Sequence, residues 1–177
     1  KAAGRLTPDS ADEALRIARE LDAHNSERRL LEAQVLEQAM EQAKAALDGR
    51  DRHSIVVAGE GWHPGVIGIV ASRIVERFYR PTVVIGFDNG YGKGSARSIR
   101  GFHLVDGFRR CAEHLEKFGG HEHAGGLSIR AENLERFTEA FENVARQCLD
   151  ADALLPVLEI DAPLRFTDVG FPLAREL

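Results

Sequence analysis

What this chain has little of narrows it before any motif is read. Only two cysteines, Cys111 and Cys148, occur in 177 residues. They are too few and too far apart for a disulfide scaffold, and are expected as reduced helix residues of a cytoplasmic protein. No run of 18 apolar residues occurs, so no membrane span is expected. The start, Lys1-Ala2-Ala3-Gly4, has neither an initiator Met nor an apolar signal core, and the C-terminus carries no stop or cap signal. Both ends are expected to continue into a longer protein. An Asp-rich cluster of the kind a two-metal nuclease uses is missing. So are a paired-cysteine zinc pattern and a Gly-x-Ser-x-Gly nucleophile elbow, and no metal ligands are assigned. There is also no basic excess: 23 Lys and Arg stand against 28 Asp and Glu, a net charge of −5. Taken whole, that balance argues against a phosphate-rich partner.

The average conceals a division. Residues 1–51 carry net −3, residues 52–130 carry net +4, and residues 131–177 carry net −6. The middle segment also holds six of the seven His and 14 of the 17 Gly. Glycine lets a backbone approach a ligand closely, so chemistry is expected there.

Thr7-Pro8-Asp9 predicts a helix start, with the helix running to about Leu21. A second, longer helix is expected from Asn25 to Asp48, with Leu36, Met40, Ala43 and Leu47 on one face and Gly49 at its end. The rest of its surface is charged, as for a helix standing partly free between two lobes. A buried strand is expected over His53–Ala58, then a glycine-rich turn and a helix from Val66 whose apolar face is Ile67, Val70, Ala71, Ile74, Val75 and Phe78. A strand over Thr82–Phe87 turns at Asn89-Gly90 into a second over Lys93–Ile99. Helices are expected over Leu104–Phe118 and Asn133–Leu149, with strands over Leu127–Arg130 and Val157–Leu164. The alternation predicts an α/β fold, a mixed β-sheet covered by helices and preceded by a long connecting helix. Three segments follow: 1–51 as linker and helix, 52–154 as the main domain, and 155–177 as the start of a further module.

Three groups of residues could carry chemistry. In Gly92-Lys93-Gly94-Ser95-Ala96-Arg97, side chains alternate along a strand, so Lys93, Ser95 and Arg97 share a face. A hydroxyl, a guanidinium fork and an ammonium together suit a phosphate, although the glycine spacing is not that of a Walker loop. Phe118-Gly119-Gly120-His121-Glu122-His123-Ala124-Gly125-Gly126 offers open backbone and two histidines; the His spacing does not suit zinc. Trp62-His63-Pro64-Gly65 leads into a helix N-terminus that either binds an anion or simply begins the helix.

Together these residues resemble the RecJ family of single-strand-specific DNA exonucleases. The likeness lies in Gly61-Trp62-His63-Pro64-Gly65-Val66-Ile67-Gly68-Ile69-Val70-Ala71-Ser72-Arg73, in Gly94-Ser95-Ala96-Arg97-Ser98-Ile99 and in Phe118-Gly119-Gly120-His121, in the family's order. Ala2-Ala3-Gly4-Arg5-Leu6 is similar to the segment before its connecting helix. The resemblance implies a DHH-associated domain over 52–154, followed by the start of an OB-like module. It implies that the catalytic DHH domain, with two Mn²⁺ or Mg²⁺ ions, lies upstream and contacts this part; no cofactor is implied here. Single-stranded DNA is the implied partner, held by Lys93, Ser95 and Arg97, with Arg5 joining the latter two at a 5′-phosphate. Gly119, Gly120 and His121 line the groove near the scissile phosphate, His121 neutralising charge there. Glu122-His123 departs from the small or apolar residues expected at that point. The resemblance implies a 5′→3′ exonuclease of DNA repair and recombination, with this piece inactive alone. The alternatives are a module of another DHH-class phosphoesterase, acting on short RNA or cyclic dinucleotides, and a purely binding module.

Overall fold

The computed structural model describes residues 10–158, 160 and 163–176. Its first element is one continuous helix, α1 (Ala11–Leu47), where the sequence suggests two. The expected break at Asp22–Asn25 contains neither Gly nor Pro. Asn25 does not cap a new start there; its Oδ1 accepts from Arg28 Nη2 at 3.0 Å. Arg16–Glu20 and Arg28–Glu32 ion pairs at i, i+4 bracket the stretch. The N-cap is Ser10, whose hydroxyl accepts from the Glu13 amide at 3.2 Å; the expected cap at Thr7-Pro8 lies outside the described residues. Most of the buried residues of α1 lie in its C-terminal half; in the N-terminal half Ile17 is buried. Val35, Ala39 and Ala43 are buried, with Leu36, Met40 and Leu47 half-buried beside them, while Leu15, Leu21 and Leu30 are exposed.

Strand β1 (Ile55–Glu60), helix α2 (Pro64–Phe78) and strand β2 (Thr82–Asp88) form a β-α-β unit with the strands parallel, Ile55 opposite Thr82. Asn89 and Gly90 both have positive φ, 49° and 76°. This is the primed two-residue turn that matches strand twist, and it returns the chain as β3 (Tyr91–Arg97), antiparallel to β2. Then come α3 (Leu104–Arg110), β4 (Lys117–Gly120), β5 (Ala124–Arg130), α4 (Leu134–Cys148) and the short α5 (Phe171–Glu176). The sheet order is β1-β2-β3-β5-β4, a mixed sheet with helices on both faces. Val84, Ile55 and Val57 pack under α1 and α2. Val83, Ile85, Leu127 and Ile129 pack under α3 and α4 with Phe102, Phe108, Phe137 and Phe141.

Two further expectations fail. The helix expected over Leu104–Phe118 stops at Arg110; a 3₁₀ turn at Ala112–His114 redirects the chain, and 117–120 become a strand. Phe118 thereby meets Phe108 edge-on, with ring centroids 6.2 Å apart, and pairs with Leu127 across β4–β5. The glycine-rich loop is therefore a β-hairpin. The strand expected over Val157–Leu164 is not formed among the described residues. Val157, Leu158, Ile160 and Leu164 are exposed there and pair with nothing in the sheet; without a neighbouring edge an extended segment has no ladder.

Two polar knots lock the layers. The buried Glu142 carboxylate on α4 accepts from the backbone amides of His53 and Ser54 and from the Ser54 hydroxyl, at 2.7–3.2 Å, and pairs with Arg146 Nε at 3.0 Å. The half-buried Arg80 guanidinium donates to the carbonyls of Arg52, Phe78, Tyr79 and Leu154. Among the described residues no helix is long and apolar enough to cross a membrane.

Candidate nucleic-acid interface

Helix α2 lies over β2 and β3 and leaves the same face of β5 and β4 uncovered. Strand pairing fixes what that face presents. Lys93, Ser128 and Lys117 lie opposite one another in one row, and Ser95, Gly126 and Gly119 in the next. Arg97 follows beside Ala124. The result is a groove of about 370 Å³ whose walls include Pro64 and Ile67 of α2 and whose floor includes Lys93, Ser95, Lys117, Gly126 and Ser128. Among the described residues that line it none is acidic, so the field is that of its two ammonium groups and the neighbouring guanidinium. Lys117 and Ser128 were not among the expected site residues. Their place in the groove depends on 117–120 being a strand.

Ser95 and Arg97 share the α2 face, as alternation requires. Arg97 Nη1 lies 3.5 Å from Ser95 Oγ and donates to the Ala96 carbonyl at 2.8 Å. The guanidinium is not itself in the groove lining; it sits half-buried at the end of the Ser95 row. Gly68 on α2 makes this possible, since a Cβ there would be 3.1 Å from Ser95 Oγ and 3.4 Å from Arg97 Nη2. The hairpin tip bearing exposed His121 lies at the Arg97 end of β3. The tip is fixed by backbone bonds, His121 N to Ala124 O at 2.8 Å, Ser98 N to His123 O at 3.0 Å and Leu104 N to Glu122 O at 2.9 Å. Glu122 and His123 thus serve the fold through their carbonyls while their side chains stay exposed. Arg5 lies outside the described residues.

The glycines sort by physical need. Gly92 and Gly94 face the opposite layer, where a Cβ would strike Phe87, Ile85 or Leu127 within 2.6–2.9 Å. They serve packing, not a ligand. Gly120 is also structural: its φ is +135° and a Cβ would lie 2.4 Å from the Ala124 carbonyl oxygen. Gly119 differs, since a Cβ on it would meet nothing within 4 Å; on Gly126 it would meet only the Gly94 oxygen, at 3.5 Å. These two are bare backbone that internal packing does not demand: Gly126 lines the groove, and Gly119 lies beside it on the edge strand.

At the β2–β3 end a second cavity, about 400 Å³, shares Pro64 and Lys93 with the groove. Trp62 is 5% exposed and is core: its Nε1 donates to Gln38 Oε1 of α1 at 2.8 Å, and its ring fills the space a side chain on Gly59 would need. Nearby, Gln42 exchanges two hydrogen bonds with the Ala58 backbone, at 2.9 and 3.1 Å. His63 caps α2, its Nδ1 accepting from the Gly65 amide at 3.0 Å, which leaves Nε2 to face outward. Groups with displaced titration lie elsewhere. Burial pushes the Cys111 thiol up to about 11, burial lowers Arg80, and the hydrogen bond from Arg146 lowers the exposed Asp51.

A mixed five-stranded sheet with covering helices and a long N-terminal helix is the fold of a DHHA1 domain. The DHHA1 domain family model matches residues 52–147, and the chain belongs to that family. It is 39% identical over 166 residues to the single-stranded-DNA-specific exonuclease RecJ of Bacillus subtilis, covering 93% of this chain and 21% of that protein. It is 34% identical to RecJ of Escherichia coli over 183 residues, covering 97% and 31%. The crystal structure of Thermus thermophilus RecJ with Mn²⁺ superimposes with a TM-score of 0.72 at 32% identity, over 81% of this chain and 21% of that one; its Mg²⁺ complex gives 0.71. The chain is thus RecJ-like, and it spans about a fifth to a third of the length of these relatives.

Proposed function

We propose that this chain is the strand-positioning part of a RecJ-type single-stranded-DNA 5′→3′ exonuclease, acting in the cytoplasm in DNA repair and recombination. The observation that carries the proposal is the groove itself. Ser95 and Arg97 stand at one end of a row whose remaining floor, Gly126 and Gly119, is bare backbone, with Lys93 and Lys117 in the row beside it. A phosphodiester chain needs such a surface: fixed cations for its charge and nothing that keeps its phosphates from the sheet. Residues 52–154 form the binding domain in this reading, 1–51 connect it to a DHH domain, and 155–177 lead toward an OB-like module.

The chemical roles follow from the donors. Ser95 Oγ and the Arg97 guanidinium hold the terminal 5′-phosphate, joined by Arg5, and Lys93 and Lys117 hold the following ones. Gly119 admits the backbone of the strand, Gly120 shapes the hairpin that presents it, and His121 neutralises charge at the reacting phosphate. Fixing the strand end at a set distance from the hydrolytic centre decides which bond is cut. Two Mn²⁺ or Mg²⁺ ions supply the activated water in this class of reaction. The groove's own donors do not fit such ions: hydroxyl, ammonium and guanidinium groups are not the oxygen-rich set a hard cation takes. Among the described residues no three His, Cys, Asp or Glu converge as a metal site. The metals therefore belong to the DHH domain in this reading, and the 177-residue chain alone releases no nucleotides with Mn²⁺.

The test compares 5′-phosphorylated with 5′-hydroxyl single strands by fluorescence anisotropy. The phosphorylated strand binds more tightly, and Arg97→Ala removes about 1.5–3 kcal/mol of that preference, the scale of a hydrogen bond to a charged group. Equal binding of the two strands by the parent protein refutes the anchoring role.

A further inference from the structure

The cavity at the β2–β3 end lies apart from the Ser95–Arg97 anchor, yet it shares Pro64 and Lys93 with the groove. Its floor is the Trp62 turn against Gly86, where even a Cβ on Gly86 would lie 2.0 Å from the Trp62 carbonyl oxygen. Its sides are His63, Pro64 and the exposed ring of Tyr91. Its rim carries Lys93 and Asp88. Tyr91 belongs to the same β3 face as Lys93, Ser95 and Arg97, and pairs with Asp88 across the hairpin. Six residue rises along the strand separate Arg97 from Tyr91, about 20 Å at the rise of a β-strand, so the cavity lies further along any chain that starts at Arg97. The two ends differ in charge. No acidic residue lines the groove among the described residues, but Asp88 stands at the mouth of the cavity, its Oδ1 accepting from Asn89 Nδ2 at 2.8 Å. A carboxylate repels a phosphate and accepts a hydrogen bond from a neutral N–H donor. An aromatic ring offers a stacking face.

We infer that this cavity is a nucleobase subsite, in which one base of the bound strand leaves the groove and stacks on Tyr91 while Lys93 holds its phosphate. The inference rests on the strand-binding groove proposed above. It adds a second point of hold, specific for the flat face of a base where the Ser95–Arg97 end is specific for a phosphate. His63 Nε2 and the free oxygen of Asp88 then meet the polar edge of the base. The preformed walls mean that little ordering accompanies entry of the base, since Trp62 is already fixed by Gln38 and Gly86.

The test uses the protein as its gene encodes it, with divalent metal chelated so that the strand stays whole. The probes are short 5′-phosphorylated single strands in which one abasic site is walked along the sequence. Binding weakens about 5- to 150-fold when the abasic site reaches one particular position, the range seen when a stacking aromatic is removed. Tyr91→Ala weakens the intact strand by a similar factor and the strand abasic at that position no further, whereas Tyr91→Phe restores binding. Absence of any position coupled to Tyr91, or failure of Phe to restore what Ala removes, overturns the subsite. If the 5′-phosphate preference persists in that case, the groove stands and only the subsite falls. If the wild type discriminates neither phosphate nor abasic site, both fall.

Discussion

The four glycines of the β4–β5 hairpin give the sharpest test, because two should behave oppositely to the other two. A Cβ on Gly119 meets nothing within 4 Å and one on Gly126 meets a single oxygen at ordinary contact distance. Neither has positive φ. Gly→Ala at such a position stabilises by about 0.4–1 kcal/mol, because the unfolded chain loses freedom. For a chain of this size that raises Tm by about 1–4 °C. Gly120 adopts φ +135° and a Cβ would lie 2.4 Å from Ala124 O. Alanine there costs about 1–3 kcal/mol in backbone strain before the clash is relieved. Gly125→Ala drives a methyl to 3.0 Å from Phe108 and the Gly119 oxygen and also destabilises. Thermal melts of the four alanine variants should therefore split two and two. Strand binding should fall with the stable pair: Gly119→Val and Gly126→Val keep the fold, raise a wall from the groove floor and weaken single-strand binding by about 10-fold or more, the loss of one charge-assisted hydrogen bond. A destabilised Gly119→Ala would show that the fold needs that glycine. A stable Gly119→Val that binds like wild type would remove the groove floor from the path of the strand.

Three further outcomes follow from the same geometry. Glu142→Ala strands two backbone amides and the Ser54 hydroxyl, while Arg146 keeps its pairing with Asp51; urea unfolding should show a loss of about 1–3 kcal/mol for each buried group left unpaired, and a total loss under about 1 kcal/mol would contradict the knot. Lys117→Ala should leave stability unchanged and lower the salt slope of single-strand binding by about 0.7, the value for one phosphate; an unchanged slope takes Lys117 out of contact. With its pKa raised to about 11 by burial, Cys111 is a neutral thiol at pH 8. A thiol reagent should label exposed Cys148 alone until denaturant is added, and immediate labelling of both refutes the burial.

The sheet's first half was open to sequence reading because its signals are local. Ile55-Val56-Val57 and Thr82–Phe87 are β-branched runs, and Asn89-Gly90 permits almost nothing but the turn it makes. The shared face of Lys93, Ser95 and Arg97 follows from period two alone. The segment 104–118 is misleading because Leu104, Phe108, Cys111, Leu115 and Phe118 fall at helical spacing, while Phe118 has its partner, Leu127, on the other strand of the hairpin. The mirrored pairs Gly119-Gly120 and Gly125-Gly126, with Phe118 and Leu127 just outside them, held the better signal: they are opposite one another in β4 and β5. Missing that hairpin hid Lys117 and Ser128. The caps of α2 and α3 are His63 and His103, residues outside the usual capping set, and nothing in composition points to them. The unbroken α1 is hard to read because Asp22-Ala23-His24-Asn25 interrupts the apolar pattern yet contains no Gly or Pro to break the helix.

Helix α1 is about 55 Å long and grips the rest of the fold chiefly over its last turns, with Ile17 also buried near its start. Two of those grips, Gln38 on the Trp62 indole and Gln42 on the Ala58 backbone, hold the turn that carries Pro64. Pro64 is a wall of the groove and of the cavity beside it. The helix is therefore a stiff lever with its fulcrum at the binding surface. A small tilt of α1 reaches Trp62 through Gln38 as a shift of that wall against the sheet, so the seating of the helix and the width of the path for a strand are one fit.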